Sequence, residues 1–569
     1  MSDQGQSGPH EAGGEEAARQ FLLGRINYER SASMPYGARA MRLDRMRHLL
    51  HRLGDPQDRL RIVHIAGTKG KGSTAAMTAA ILTAAGYRTG LYHSPHLDRV
   101  EERLIIDGQI CALDEFVELV EQVRPVAEEM DRLRNPAARS PASPRSRACD
   151  AAPSEVEASM SPTFFELTTA IALLHFVRRR VDAVVLEVGL GGRLDSTNVC
   201  LPRVTVITNI SFDHTRQLGN TLAKIAREKA GIIKPGVTVV CGVLEDEPRQ
   251  VIEEVAAGAG SPLRQLGVDF DFVYRAPRIK GGADQARGAG PELEDRTSNV
   301  QHPTSNVEHG TRNAELSDVR RWTLDVQRSK SLDDLRPGRM AICLGEPPVT
   351  YHDLDLGLLG RHQAANAALA VAALAELRRQ GWQIPHDAVR RGLAQVCWPA
   401  RIEVVHRRPT VVLDAAHNLA SIAALIETLE ESFAPRRRVL VFGASSDKDV
   451  RGMLALVTPR FDQVIFTRYV NNPRGVPPEK LAQWAPALPP DHLLCADPAA
   501  AWDAAKRLVG PDDLLCITGS FFLAAEMRAE MARRPLAMEA SPAKAPPEPT
   551  APASIAAEQE ISAEATIFP

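Results

Sequence analysis

The chain of 569 residues has almost no net charge, no C-x-x-C pair and no long uninterrupted apolar run. Each absence excludes something. A formal charge of −3, from 68 basic and 71 acidic residues, gives no sign of a nucleic-acid or membrane partner. Eight cysteines (Cys111, Cys149, Cys200, Cys241, Cys343, Cys397, Cys495 and Cys516) are scattered, several inside apolar runs. They read as buried thiols of a reducing compartment, not as a disulfide frame or a zinc site. The apolar stretches are too short or too interrupted to span a bilayer. Met1–Glu16 is polar and acidic, without the basic segment and apolar core of a secretory signal, so a cytoplasmic location is expected. What is present is 44% hydrophobic residues, enough for a substantial core, and length enough for more than one domain.

From about Arg61 to about Ala525, short β-branched runs alternate with amphipathic stretches. The runs include Arg61–Ala66, Val181–Val188, Val204–Ile210, Val237–Val243, Thr410–Leu413, Val439–Phe442, Val464–Thr467 and Leu514–Thr518. Segments such as Ser73–Ala85, Leu222–Ala230 and Gln363–Arg379 have helical periodicity. This alternation predicts an α/β protein with parallel sheets covered on both faces. Two segments read as solvated insertions, one at 134–161 rich in Ala, Pro and Ser, the other at 276–318 rich in Gly, Asn, Glu and His. The second holds a near repeat, TSNVQH at 297–302 and TSNVEH at 304–309. A duplicated flexible piece explains His302 and His309 better than a metal pair. Residues 1–16 and 537–569 are expected to be disordered. Pro399 closes a helical stretch and strands follow it, so one domain is expected over 17–400 and a second over 401–536.

The segment RIVHIAGTKGKGST (61–74) runs an apolar strand through glycines into a helix. Gly67, Gly70 and Gly72 allow the backbone to curl around phosphate oxygens, the helix start offers free N–H groups, and Lys71 supplies charge. The spacing departs from G-x-x-x-x-G-K-[ST]: Gly72 follows the lysine, and the hydroxyls of Ser73 and Thr74 come one step later. A different hydroxyl is then needed for Mg²⁺, and Ser94, in LYHSPHLDRVEER (91–103), is a candidate, although Ser-Pro is also a common turn. Glu187 sits near the end of the buried run VDAVVLEV (181–188), where a carboxylate is costly unless it is paired or binds metal. Its alternative is a strand-end carboxylate turned to solvent. VTVITNISFDH (204–214) ends in Asp213 and His214, weak evidence if taken alone. Lys229 falls on the same face of Leu222–Ala230 as Leu222, Ile225 and Ala226. Either it snorkels at the rim, or it carries CO₂ as a carbamate and becomes an anionic metal ligand.

HIAGTKGKGST, LYHSPHL, TFFELTTA (163–170), EVGLGGRLDSTN (187–198), TNISFDH, EKAGIIK (228–234), GRHQAANAALA (360–370), PARIE (399–403), DAAHN (414–418) and GASSDKD (443–449) occur in that order. Together they resemble the folylpolyglutamate synthase/dihydrofolate synthase family, a branch of the Mur ligase superfamily, from about residue 20 to about residue 530 apart from the insertions. The resemblance implies a P-loop ATPase domain with a mostly parallel sheet and a smaller Rossmann-like C-terminal domain, with ATP between them. Gly67, Thr68, Gly70, Lys71, Gly72, Ser73 and Thr74 would hold the phosphates, Asn366 would contact adenine, and Arg401 and Asp414 would reach ATP with His417 nearby. Ser94 and Glu187 would bind one Mg²⁺. His214 and a carbamylated Lys229 would serve a second, with Glu187 bridging. Ser94, Pro95, His96 and Leu97, with Thr163, Phe164, Phe165 and Glu166, would border the pterin pocket. Asp447 and Lys448 would face the incoming substrate. Two departures stand out: Lys69 occupies a position often held by Asn, and HSPHLDRVEER lacks the usual Asn or Thr before Glu-Arg.

The implied reaction is ATP-dependent addition of L-glutamate to a folate, and to dihydropteroate as well, through an acyl phosphate. Lys71, Lys229, His214, Asp414 and His417 are the candidate catalytic residues, His417 either accepting the ammonium proton or orienting Asp414. A monomer acting on small molecules is expected. The rivals are a Mur-type cell-wall amino-acid ligase and a nucleotide-binding paralogue that has lost ligation.

Overall fold

The computed structural model describes residues 9–29, 43–133, 160–277, 279–280, 338–345 and 348–536. The expected insertions lie largely outside these residues, as do the repeat with His302 and His309, Cys149 and the tail 537–569. The first sheet contains β1 (Ile62–Ala66), β2 (Thr89–Tyr92), β3 (Leu104–Ile106), β4 (Gln109–Ile110), β5 (Ala183–Glu187), β6 (Val204–Ile207), β7 (Val239–Cys241) and β8 (Leu263–Gln265), in the order β4-β3-β2-β5-β1-β6-β7-β8. Pairing is parallel from β2 to β8 and antiparallel at the β2–β3–β4 edge. Every residue of β1 and β5 is buried, which is why both read as uninterrupted apolar runs.

Helices cover both faces. On one, Lys71–Ala84 packs on Arg361–Arg379 and His386–Gln395, enclosing Met77, Ile81, Leu82, Leu369 and Leu393. On the other, Leu113–Asp131 and Phe164–Arg178 enclose Phe116, Leu119, Leu167 and Ile171. The helix Pro9–Leu23 joins this second layer through Ala18 and Leu22. The expected disorder through residue 16 is therefore corrected from Pro9 onward. An antiparallel three-stranded sheet, in the order β12-β11-β9, consists of β9 (Phe270–Arg275), β11 (Gly338–Leu344) and β12 (Val349–Leu356). It stands beside helix Arg361–Arg379 and was not foreseen. Between β9 and β11 lies β10 (Ile279–Lys280).

The second parallel sheet contains β13 (Glu403–Arg407), β14 (Thr410–Leu413), β16 (Arg438–Phe442), β17 (Gln463–Phe466), β18 (Leu493–Leu494) and β19 (Leu514–Thr518), in the order β13-β14-β19-β16-β17-β18. Only its edge pair β13–β14 is antiparallel. β15 (Phe433–Ala434) is not part of it and pairs instead with β10. Of the cysteines, Cys397 is exposed and Cys343 half-buried, which corrects the reading of all eight as buried thiols. Among the described residues no helix is long and apolar enough to cross a membrane.

Candidate active site

β1 ends at Ala66 and a helix begins at Lys71, so residues 67–70 form the loop at the carboxyl end of a central strand, where open α/β sheets bind ligands. Gly67 and Gly70 have φ of 151° and 80°. A β-carbon on Gly67 would lie 1.8 Å from Thr208 Oγ1, and one on Gly70 would lie 2.2 Å from Asn366 Oδ1. The glycines thus allow the loop to press against the end of β6 and the Arg361–Arg379 helix. Asn366 meets the loop itself, and its Nδ2 donates to Gln363 Oε1 at 3.0 Å. The loop is pinned by Thr68 N to Asn209 O at 2.9 Å, Lys69 N to Asn209 Oδ1 at 2.9 Å and Thr208 Oγ1 to Lys69 O at 2.5 Å. Ser73 and Thr74 are buried, and Thr74 Oγ1 has no hydrogen-bond partner.

Glu187 terminates β5 and is 4% exposed. Its Oε2 accepts a long hydrogen bond from Ser94 N, 3.4 Å. Burial raises its pKa, against the pull of Lys71 and Arg401. The alternative of a carboxylate turned to solvent is excluded. Lys229 is also 4% exposed, and its Nζ donates to Gly67 O at 2.8 Å. Burial first, then the charge of Lys71, pushes this amine well below its ordinary range. It lies beneath the phosphate loop, so snorkelling is excluded too. His214 caps the short Thr215–Leu218 helix in a left-handed conformation, φ 49°. Desolvation in the cleft, helped by Lys448, Lys69 and Lys71, pushes it down to about 4 against the pull of Asp213. The shift favours the neutral imidazole.

Sequence reasoning placed Asp213 only as the neighbour of His214. The structure makes it the meeting point of the two domains. Its Oδ2 accepts from Lys69 Nζ at 2.6 Å and from Asn418 Nδ2 at 3.2 Å, and its Oδ1 from Lys448 Nζ at 2.9 Å. Burial alone would raise its pKa, but Lys69, His214, Lys448 and His417 hold it far below the usual carboxylate range. Lys69, from burial and despite Asp213, is lowered to about 8. The carboxyl ends of the two sheets therefore face each other across a cleft lined by Lys69, Asp213 and His214 on one side and His417, Asn418 and Lys448 on the other.

Asp414 follows β14 and is held by Ile402 N to Oδ2 at 2.9 Å and Ala416 N to Oδ1 at 2.8 Å. Burial raises its pKa while Arg401 lowers it. The Arg401 charge also lowers Glu187, so it is felt at the ends of both sheets. His417 Nδ1 bonds Ala415 O at 2.9 Å, and its Nε2 lies 3.5 Å from Lys69 Nζ. It does not orient Asp414, whose oxygens are held by backbone. Asp447 stands 3.7 Å from Arg474.

The expected pterin-pocket segments divide. His96 Nδ1 accepts from Arg103 Nε at 2.8 Å, Ser94 is half-buried and Pro95 is exposed. Thr163 and Glu166 form a capping box at the start of Phe164–Arg178, and Glu166 takes Arg45 Nε on both oxygens at 3.0 and 2.9 Å. Phe164 is fully buried under Arg103. Those three side chains serve the fold. Phe165 alone of the four is half-buried, its ring 6.0 Å from that of Tyr92 and pressed on Gly189.

Residues 152–279 match the Mur ligase middle domain and residues 400–521 the Mur ligase glutamate ligase domain. The chain is 30% identical over 488 residues to the dihydrofolate synthase/folylpolyglutamate synthase of Bacillus subtilis (strain 168), covering 85% of this chain and 94% of that one. The chain belongs to the folylpolyglutamate synthase/dihydrofolate synthase family. The Mycobacterium tuberculosis relative, dihydrofolate synthase/folylpolyglutamate synthase, is 31% identical over 521 residues, covering 87% and 90% of the two chains. The solved Mycobacterium tuberculosis folylpolyglutamate synthase complexed with ADP and AMPPCP superposes with a TM-score of 0.69 at 30% identity, covering 91% of this chain and 98% of that one. The bifunctional family member from Yersinia pestis, complexed with AMPPNP and Mn ion, gives 0.65 at 27% identity over 94% and 100%.

Proposed function

We propose that this family member is an ATP-dependent, ADP-forming ligase that joins L-glutamate to the carboxylate of a folate and also to dihydropteroate. The observation that carries the reading is the cleft itself. A glycine-pinned phosphate loop, a buried Glu187 and a buried Lys229 face Asp414, His417 and Lys448 of the glutamate-ligase domain. The relatives that carry both activities in their names favour both acceptors over one. A cytoplasmic monomer acting on small molecules completes the proposal.

The residues fit a triphosphate with a divalent cation. Thr74 Oγ1 is an orphan hydroxyl at the helix start, Glu187 is a buried carboxylate with one long hydrogen bond, and His214 is shifted toward its neutral form. Ser94, Glu187 and His214 would hold magnesium, at two sites if Lys229 contributes. Bound there, magnesium neutralises charge on the transferring phosphoryl group. Carbamylation of Lys229 needs an unprotonated amine, which adds to CO₂, forming a C–N bond and releasing one proton, and burial shifts this amine toward that form. The product would be an anionic ligand in place of a cation.

A carboxylate is resonance-stabilised and resists an amine. Transfer of the γ-phosphoryl group converts it to an acyl phosphate with phosphate as leaving group. Lys71 stabilises the charge that develops on the transferred group. The glutamate amine then attacks the acyl carbon, and the tetrahedral adduct collapses to amide and phosphate. His417 Nε2, neutral because burial lowers it well below its usual value, accepts the ammonium proton. Arg401 and Asp414 hold the nucleotide from the domain junction, Asn366 extends that grip toward adenine, and Asp447 and Lys448 face the amino acid. Ser94–Leu97 and Phe165 border the acceptor, and the closed cleft keeps water from the intermediate.

The test is ADP release by the purified protein with ATP, Mg²⁺ and glutamate, with dihydropteroate and tetrahydrofolate supplied in parallel. Release with both is expected. Release with one alone narrows the function to that acceptor. Release with neither, from protein that still binds ATP, points to a Mur-type substrate or a lost activity.

A further inference from the structure

We infer that Asp213 is the positioning residue that ties docking of the C-terminal domain to the phosphate loop, so that acyl transfer proceeds only when the two are joined. The inference rests on the ligase reading and adds a control to it. Three chain elements converge on this one carboxylate, whose side chain is 8% exposed. From the first domain comes Lys69, in the phosphate loop. From the second come Asn418, the cap of the Leu419–Ser432 helix, and Lys448, on the loop after β16. Asp213 bridges the domains with both oxygens: Oδ2 accepts from the loop lysine and from Asn418, and Oδ1 accepts from Lys448.

The arrangement transmits position in both directions. Lys69 has its own N–H and C=O fastened to Asn209 and Thr208, so its side chain and the loop backbone move together. Asn418 is covalently next to His417, and His417 Nε2 sits 3.5 Å from Lys69 Nζ. Seating Asn418 and Lys448 on Asp213 therefore brings the proposed proton acceptor to the phosphate loop in the same movement. Two lysine cations this close repel unless the carboxylate stays between them. Without its charge the docked arrangement loses its neutralising centre, while the loop remains able to bind nucleotide and phosphorylate the acceptor. The intermediate then meets water. Water attacks the acyl carbon, phosphate leaves, the carboxylate is regenerated and a proton passes to solvent, with net hydrolysis of ATP.

The readout is ADP released per amide bond formed, close to one when transfer is coupled. For Asp213→Asn, which keeps shape and loses charge, we expect that ratio to rise about threefold or more, kcat for amide formation to fall on the order of 10²-fold, and the KM for ATP to change less than about threefold. A ratio that stays at one while activity falls would overturn the inference, since a merely structural role lowers both products together. A second measurement does not depend on that variant folding or on ligase activity. Lys69→Met and Lys448→Met, singly and combined, are compared by the thermal shift that ATP produces. Non-additive shifts support a shared bridge, and additive shifts overturn it. Wild-type protein without glutamate-dependent ADP release would sink the ligase reading instead, leaving the lysine comparison to judge the bridge.

Discussion

Two groups of buried ionisable residues lie in the same domain and differ in how their charges are met. Around Cys111, every group has a side-chain partner. His175 Nδ1 lies 3.1 Å from Glu115 Oε1 and 3.9 Å from Cys111 Sγ, and Arg179 grips both oxygens of Glu115. Burial pushes the Cys111 thiol up to about 12. Burial opposes ionisation of Glu115 as well, yet Arg179 and His175 still hold its pKa low. The residue types are those of a metal site, but the guanidinium already supplies the cation. Around the phosphate loop, Glu187 and Lys229 are equally buried and have only backbone partners. A closed network needs nothing more, whereas buried groups left this incomplete are maintained for a ligand. The difference separates a structural cluster from the one proposed as catalytic, where composition would not.

The largest expected effect comes from removing a member of the open group. Lys229→Met should lower ligation on the order of 10³-fold, and the carbamate carbon signal from ¹³C-bicarbonate should vanish with it. A variant of normal activity would break the distinction. The variant should also be the more stable protein at pH 7, because burial disfavours the charged form of the native lysine. The unfolded lysine binds its proton up to its usual pKa of 10.5, so wild-type stability rises toward that pH and the gap in Tm should narrow. Glu115→Gln, in the closed group, should cost about 1–3 kcal/mol in urea unfolding, toward the low end because Arg179 is half exposed, with kcat unchanged. A fall in kcat would show that this cluster reaches the cleft. The smallest effect is expected at the edge of the acceptor pocket. Thr163→Ala loses a helix cap worth about 1 kcal/mol and should leave the KM for folate alone, whereas Phe165→Ala should raise it. Reversed outcomes would return Thr163 to the pocket.

Much of the fold is legible because burial on both faces writes itself as unbroken apolar runs. Thr410–Leu413 and Leu514–Thr518 coincide with β14 and β19, and Leu222–Ala230 with its helix. The candidate site is legible where a residue violates that pattern, as Glu187 and Lys229 do inside apolar segments. Other features depend on partners distant in sequence. Asp213 acquires its importance from Lys448 and Asn418, more than 200 residues away. Thr163 and Glu166 look exposed and polar until Arg45 is placed beside them. The Pro9–Leu23 helix contains Gly13 and Gly14, poor helix formers, and burial of Ala18 and Leu22 overrides them. The three-stranded sheet escapes notice because β9 and β11 are separated by a long polar stretch that hides their pairing.

The two-residue pairing of β10 with β15 has a mechanical consequence. The chain passes from the first sheet toward the second at the Trp398–Arg401 junction, and it also touches the second domain at Ile279–Lys280, a few residues after β9. A rigid body attached at two points keeps a single easy rotation, about the line that joins them. Were the domains to part, the swing would run about that line and would take Lys448 and Asn418 off Asp213 together.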